Sequence, residues 1–162
     1  MARVFIGVGS NLHRLKSVRA GLKLLQAEFT NFSHSSLYES EAVGFKGGTF
    51  YNLVVAFDTD LSVSRLQLIL KEIEKKLGRK DNAIKFSARK LDLDLLLYDN
   101  LVDVTINVPR AEITSNAFVL KPLKELAPLL VHPTLNKTYQ QLWLEYPQQK
   151  QKLWILEVNL IQ

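Results

Sequence analysis

Val4, Ile6 and Val8 alternate with Phe5, Gly7 and Gly9, the period of a strand whose second face becomes almost bare at its end, where backbone or ligand can approach closely. Leu15, Val18, Leu22, Leu25 and Phe29 then recur at spacings of three and four, which predicts an amphipathic helix directly after it. Residues 32–40 and 49–59 are rich in β-branched and aromatic side chains, and the glycine-containing stretch 44–48 between them predicts a hairpin loop with antiparallel pairing. A second helix carries Val63, Leu66, Leu70, Ile73 and Leu77, with Ser62 at its N-cap and Gly78 where a left-handed C-terminal cap belongs. Leu91, Leu93, Leu95 and Leu97 alternate with Asp92 and Asp94 as one further strand.

The resulting order, βαββαβ, predicts an α+β class and a ferredoxin-like arrangement: an antiparallel sheet with both helices on one face. Beyond it lie C-terminal additions. Residues 102–108 read as another strand, Pro122 and Pro128 bracket or kink a short helix, and 138–162 mixes helix and strand signals without choosing.

Composition narrows the field. The 162 residues suit a single domain, 1–162, and 47% hydrophobic with 23% charged residues excludes a disordered or fibrous chain. Cysteine is absent, which rules out thiol chemistry and thiolate metal sites. The first residues lack a secretory pattern and no apolar stretch reaches membrane length, so a cytoplasmic protein without a membrane partner is expected, as a monomer. A formal charge of +5 favours anionic partners, among which nucleotides and nucleic acids both qualify.

Candidate chemistry centres on Asp92 and Asp94. One residue apart in a strand, their carboxylates share a face with Cα atoms ~7 Å apart. Such a pair can hold hard cations, because magnesium takes one or two carboxylates and completes its shell with water and phosphate oxygens. The same alternation also describes a half-exposed strand with leucines inward and aspartates merely solvated. Arg79, Lys80, Lys85, Arg89 and Lys90 lead into this strand and would set cations beside a metal–phosphate complex. Glu74 stands in the last helical turn, where it opposes the helix dipole and where Lys71, Lys75 and Lys76 can neutralise it. Asn52 interrupts a β-favourable run; its amide suits the edge of a heterocycle, or a structural place at a bulge. The run Gly7-Val8-Gly9-Ser10-Asn11-Leu12 fails as a dinucleotide fingerprint at Leu12, and no Walker A sequence exists. His13, His34 and His132 have no metal-ligand spacing.

Several blocks, in one register from about Val4 to about Pro133, resemble the 6-hydroxymethyl-7,8-dihydropterin pyrophosphokinase family. They are Ile6 through Leu12; Ser36-Leu37-Tyr38 leading to Phe50-Tyr51-Asn52; Glu74 through Leu77-Gly78-Arg79; Arg89-Lys90-Leu91-Asp92-Leu93-Asp94-Leu95; and Val108-Pro109 followed by Phe118-Val119-Leu120-Lys121-Pro122-Leu123. The resemblance implies a ferredoxin-like core with mobile loops over a site that binds ATP and a pterin alcohol, and transfer of pyrophosphate in folate synthesis. It implies two magnesium ions on Asp92 and Asp94, with Arg79 and Arg89 as catalytic partners that neutralise the triphosphate. Ser40 and Asn52 would bond the pterin, Phe50 and Phe118 would sandwich it, and Val43 would give backbone contacts. Glu74 would lie near the nucleotide, and where this chain departs from the family pattern the grip on ATP is redistributed, with Lys80, Lys85, Lys90 and Arg110 as substitutes.

Departures from the family pattern matter. Ser40-Glu41-Ala42 stands where Thr-Pro-Pro is common, Ser87-Ala88 replaces Gly-Pro, Asp81 takes an often basic place, Arg110 a usual histidine, and Asn116 a usual arginine. Weaker or altered catalysis with a retained metal site is the expectation. A catalytically impaired relative that binds nucleotide or pterin is the alternative. An RNA-binding module fails, because Lys46-Gly47 opens like an RNP1 motif that does not continue. No residue stands out as a general base, which leaves metal activation of the alcohol.

Overall fold

The computed structural model describes residues 1–41, 48–78 and 91–161. It contains strands β1 (Ala2–Ser10), β2 (Thr30–His34), β3 (Leu37–Ser40), β4 (Phe50–Thr59), β5 (Asp92–Tyr98) and β6 (Leu153–Leu156). The helices are α1 (Arg14–Glu28), α2 (Val63–Lys76), α3 (Glu112–Ser115), α4 (Ala117–Leu126) and α5 (Tyr139–Glu145). The sheet runs β5-β1-β4-β3-β6, with β2 also on β4, and every pairing is antiparallel. This is the ferredoxin-like βαββαβ unit, its second strand split into β2 and β3.

The strand alternation sorts side chains between two cores. Val4, Ile6, Val8, Leu53, Val55, Phe57, Leu93 and Leu95 face α1 and α2, where Leu22, Leu25, Leu66 and Leu70 close a dry layer. Phe29 stacks on Phe57 with ring centroids 3.9 Å apart. The opposite face, with Phe5, Val54, Ala56 and Leu96, is covered by α4 and α5 through Leu120, Leu123 and Trp143. Ser62 caps α2 by accepting from the Arg65 amide, and Gly78 takes φ 100°, which a side chain would resist. The additions resolve what periodicity left open: Thr138 and Gln141 form a capping box that starts α5, and β6 returns to pair with β3.

Four expectations are corrected. The strand expected at 32–40 is broken at Ser35, whose amide donates to the Val54 carbonyl while its hydroxyl accepts from the Val54 amide, a side chain standing in for the ladder. Residues 102–108 form no strand; a 3-10 turn at Val104–Ile106 is closed by a lone bridge between Asp103 and Val108. Leu97 leaves the leucine row because the register shifts opposite Phe5 and Ile6, so both Leu96 and Leu97 join the second core. Glu74 is not merely neutralised by neighbouring lysines but lies buried among the core-facing residues of α2. Among the described residues, no helix is long and apolar enough to cross a membrane.

Candidate active site

The bare end of β1 is where the site forms. Gly7 lies opposite Asp94 and Gly9 opposite Asp92 on one side, while Gly9 faces Asn52 across the other. Side chains flanking the glycines therefore have room above the sheet. A Cβ on Gly9 would come within 3.0 Å of the Asn52 Oδ1, so glycine is what lets that amide lie across the strand. Above this floor, α4 and the turn before α3 enclose a cavity of about 410 Å³.

Seven of the residues singled out from sequence line that cavity: Ser40, Phe50, Asn52, Asp92, Asp94, Arg110 and Phe118. They come from β3, β4, β5, α4 and the segment before α3, so only the tertiary fold unites them. Asn52 is 7% exposed and donates from Nδ2 to the Ser40 hydroxyl at 3.0 Å. Both registers run through Asn52 without a shift, so it occupies no bulge. Glu74 does not line the cavity; its Oε2 accepts from the Leu93 amide at 2.7 Å, fastening α2 to the residue between the two aspartates. Val43, Arg79, Lys85 and Arg89, with Lys80 and Lys90, lie outside the described residues, as do the expected mobile loops save for Gly48 and Thr49.

Charge at the acidic end is dense. The Arg110 Nη2 lies 3.5 Å from Asp94 Oδ1 and 3.0 Å from Glu112 Oε1, to which Arg110 Nε also donates at 3.1 Å. Burial first, then the neighbouring Asp92, pushes the Asp94 carboxyl up to about 7, with Arg110 pulling the other way and Glu112 and Glu74 adding to the rise. Among the described residues no three His, Cys, Asp or Glu side chains gather as a closed metal shell. Asp92 and Asp94 bring carboxylate oxygens to one cavity wall, donors of the kind that could hold a hard ion together with waters and ligand oxygens.

Sequence reasoning gave no role to Glu41, Glu112 or Asn116, all of which line the cavity. For Glu112 the only local signal was its place two residues beyond Arg110; Asn116 had been noted only as standing where the family usually has an arginine.

The family profile described as 7,8-dihydro-6-hydroxymethylpterin-pyrophosphokinase matches residues 5–128. The chain is similar to the 2-amino-4-hydroxy-6-hydroxymethyldihydropteridine pyrophosphokinase of Aquifex aeolicus, 34% identical over 145 residues, which are 87% of this chain and 90% of that one. It is similar to a folic acid synthesis protein of Dictyostelium discoideum, 30% identical over 148 residues, 89% of this chain but 22% of the longer one. In fold it is similar to Plasmodium falciparum HPPK-DHPS crystallised with SDX-DHP, with a TM-score of 0.65 at 15% identity, covering 90% of this chain and 43% of that chain.

Proposed function

The chain belongs to the 7,8-dihydro-6-hydroxymethylpterin-pyrophosphokinase family, and we propose that the cavity over the end of β1 is where it moves pyrophosphate from ATP to 6-hydroxymethyl-7,8-dihydropterin, releasing AMP, in folate synthesis. The observation that carries this reading is the convergence in one cavity of an acidic pair, Asp92 and Asp94, with an aromatic and amide set, Phe50, Phe118, Asn52 and Ser40. One half suits a metal-bound phosphate chain; the other suits a flat, polar ring.

The roles follow from the chemistry of each group. Asn52, held by Ser40, presents carbonyl and amide functions to the edge of the pterin, while Phe50 and Phe118 offer its faces apolar contact. Asp92 and Asp94, hard carboxylate donors that share one end of the cavity, fit two magnesium ions. Metal bound by these two carboxylates would supply Lewis-acid neutralisation of the charge that develops on the transferred phosphate chain. Arg110, steadied by Glu112, sits beside Asp94 where it can meet the phosphates. Arg79, Lys85 and Arg89 would neutralise the rest of the triphosphate, Val43 would contact the pterin through its backbone, and Glu74 acts through its hold on Leu93. The protein contributes chiefly orientation: it keeps the alcohol oxygen in line with the β-phosphorus.

The test is direct. With ATP, magnesium and the pterin alcohol, the protein should form AMP only when pterin is present, and a chelator should stop it. Release of ADP, or AMP that ignores the pterin, would overturn the proposal.

A further inference from the structure

The family profile ends at residue 128, yet the chain after α5 comes back to the cavity. Gln151 meets the start of α4 there. The Ala117 amide donates to Gln151 Oε1 at 2.7 Å, and Gln151 Nε2 donates to Asn116 Oδ1 at 3.2 Å. Asn116 holds the N-cap position of α4, but its own side chain makes no capping bond. A remote glutamine therefore satisfies a helix-end amide that would otherwise need water.

Two residues further on, Leu153 pairs with Ser40, which pairs on its other side with Phe50. The next residue, Trp154, donates from its indole to Glu39 Oε1 at 2.7 Å. Residues 151–154 thus join the wall that carries Phe118 to the wall that carries Ser40 and Phe50. The first turn of α4 has particular need of such a tie. Pro122 lies four residues after Phe118 and has no N–H to give to the Phe118 carbonyl, so one internal bond of that turn is missing.

We propose that Gln151 is a positioning residue for pterin recognition: by fixing the N-terminus of α4 it sets where Phe118 stands relative to Phe50. This rests on the functional reading above. A stacked ring tolerates little change in the gap between its two aromatic walls, whereas the phosphate end, on β5 and Arg110, is built without Gln151.

The test is binding of 6-hydroxymethylpterin by calorimetry, with a nonhydrolysable ATP analogue and magnesium present, alongside KM values from AMP release, all on the full chain. Gln151→Ala should weaken pterin affinity and raise the pterin KM about fivefold to tenfold, the scale of a lost cap, while ATP KM stays put. Gln151→Glu keeps the acceptor for the Ala117 amide and should recover most of that loss, a rescue that general destabilisation would not produce. Equal losses for both substrates, or unchanged pterin binding in a folded Gln151→Ala, would refute the role. Should Gln151→Ala not fold, Gln151→Glu decides alone: near wild-type pterin affinity supports the role, and a loss shared by ATP refutes it. A wild-type chain that binds no pterin would bring down the functional reading first, and this inference with it.

Discussion

The two faces of the sheet are made by the same strands and serve different ends. Toward α1 and α2 the strands present a layer of Val, Ile, Leu and Phe, on which the helices close through Leu22, Leu25, Leu66 and Leu70. Toward α4 and α5 the layer is apolar only at one end, with Phe5, Val54, Ala56 and Leu97; at the other, glycines, an asparagine and two aspartates leave an open cavity. The first face is hydrophobic core along its length, whereas the second sets like charges close together beside its own apolar cluster. Changes on one face should be felt as lost folding, and changes on the other as lost chemistry.

The sharpest break of that pattern is Asp94→Asn. On the cavity face it should lower turnover by about a thousandfold, the scale of removing a preorganised charge at a phosphoryl-transfer site, while the protein stays folded. Rates of AMP formation with a circular-dichroism melt of the same sample decide it; an unfolded variant would mean that Asp94 belongs to the structural half after all. The counterpart is Leu22→Ala, fully buried against the other face. It should cost about 2–5 kcal/mol of stability in denaturant unfolding, with both KM values unchanged for the fraction that remains folded.

The same division has a pH signature. Asp94 is raised from the ordinary 3.8 to about 7, so its folded form binds a proton more tightly than its unfolded form. Stability is fully present below pH 3.8 and is lost as pH rises toward 7, because the folded state must then hold the ionised carboxylate beside Asp92. Between those limits the loss should be about 1–3 kcal/mol, the lower part of what the shift allows. In metal-free unfolding curves, Asp94→Asn should flatten this slope and be the more stable protein at pH 8. A slope identical in both proteins would show that the strain lies elsewhere.

How legible each face was in the sequence follows from its physics. The helical face is periodic, and the spacing of Leu15, Val18, Leu22 and Leu25 predicted it, as did Ser62 and Gly78 for the ends of α2. What pattern missed depends on partners distant in sequence. Glu74 looked like one more charge among lysines until the Leu93 amide, nineteen residues away, took it inward. The break at Ser35 needs Val54, and the shift at Leu96 needs the register of β1, neither of which a local window contains. The acidic pair was visible as two aspartates in alternation, but solvated aspartates give the same alternation. The glycines set opposite them by β1, and the cavity roof of α4, put both aspartates on a cavity wall, a placement that alternation alone does not contain. Asn52 stood out as a break in a β-favourable run, while the family blocks supplied Ser40, Phe50 and Phe118, which no periodicity would have singled out.

The smallest expected effect tests the comparison within the cavity itself. Asn52 is bonded to Ser40 and lies across Gly9, on the side away from Arg110 and Glu112. Asn52→Ala removes a donor and acceptor from the proposed pterin edge but leaves the carboxylates of β5 in place. Pterin affinity should fall about tenfold, the worth of roughly one directed hydrogen bond with its partner left bare, and affinity for an ATP analogue should change less than twofold. Calorimetry with each ligand in turn separates the outcomes. Equal weakening of both would mean that the two ends of the cavity act as one unit, because a ring and a phosphate chain held by separate residues cannot lose the same contact.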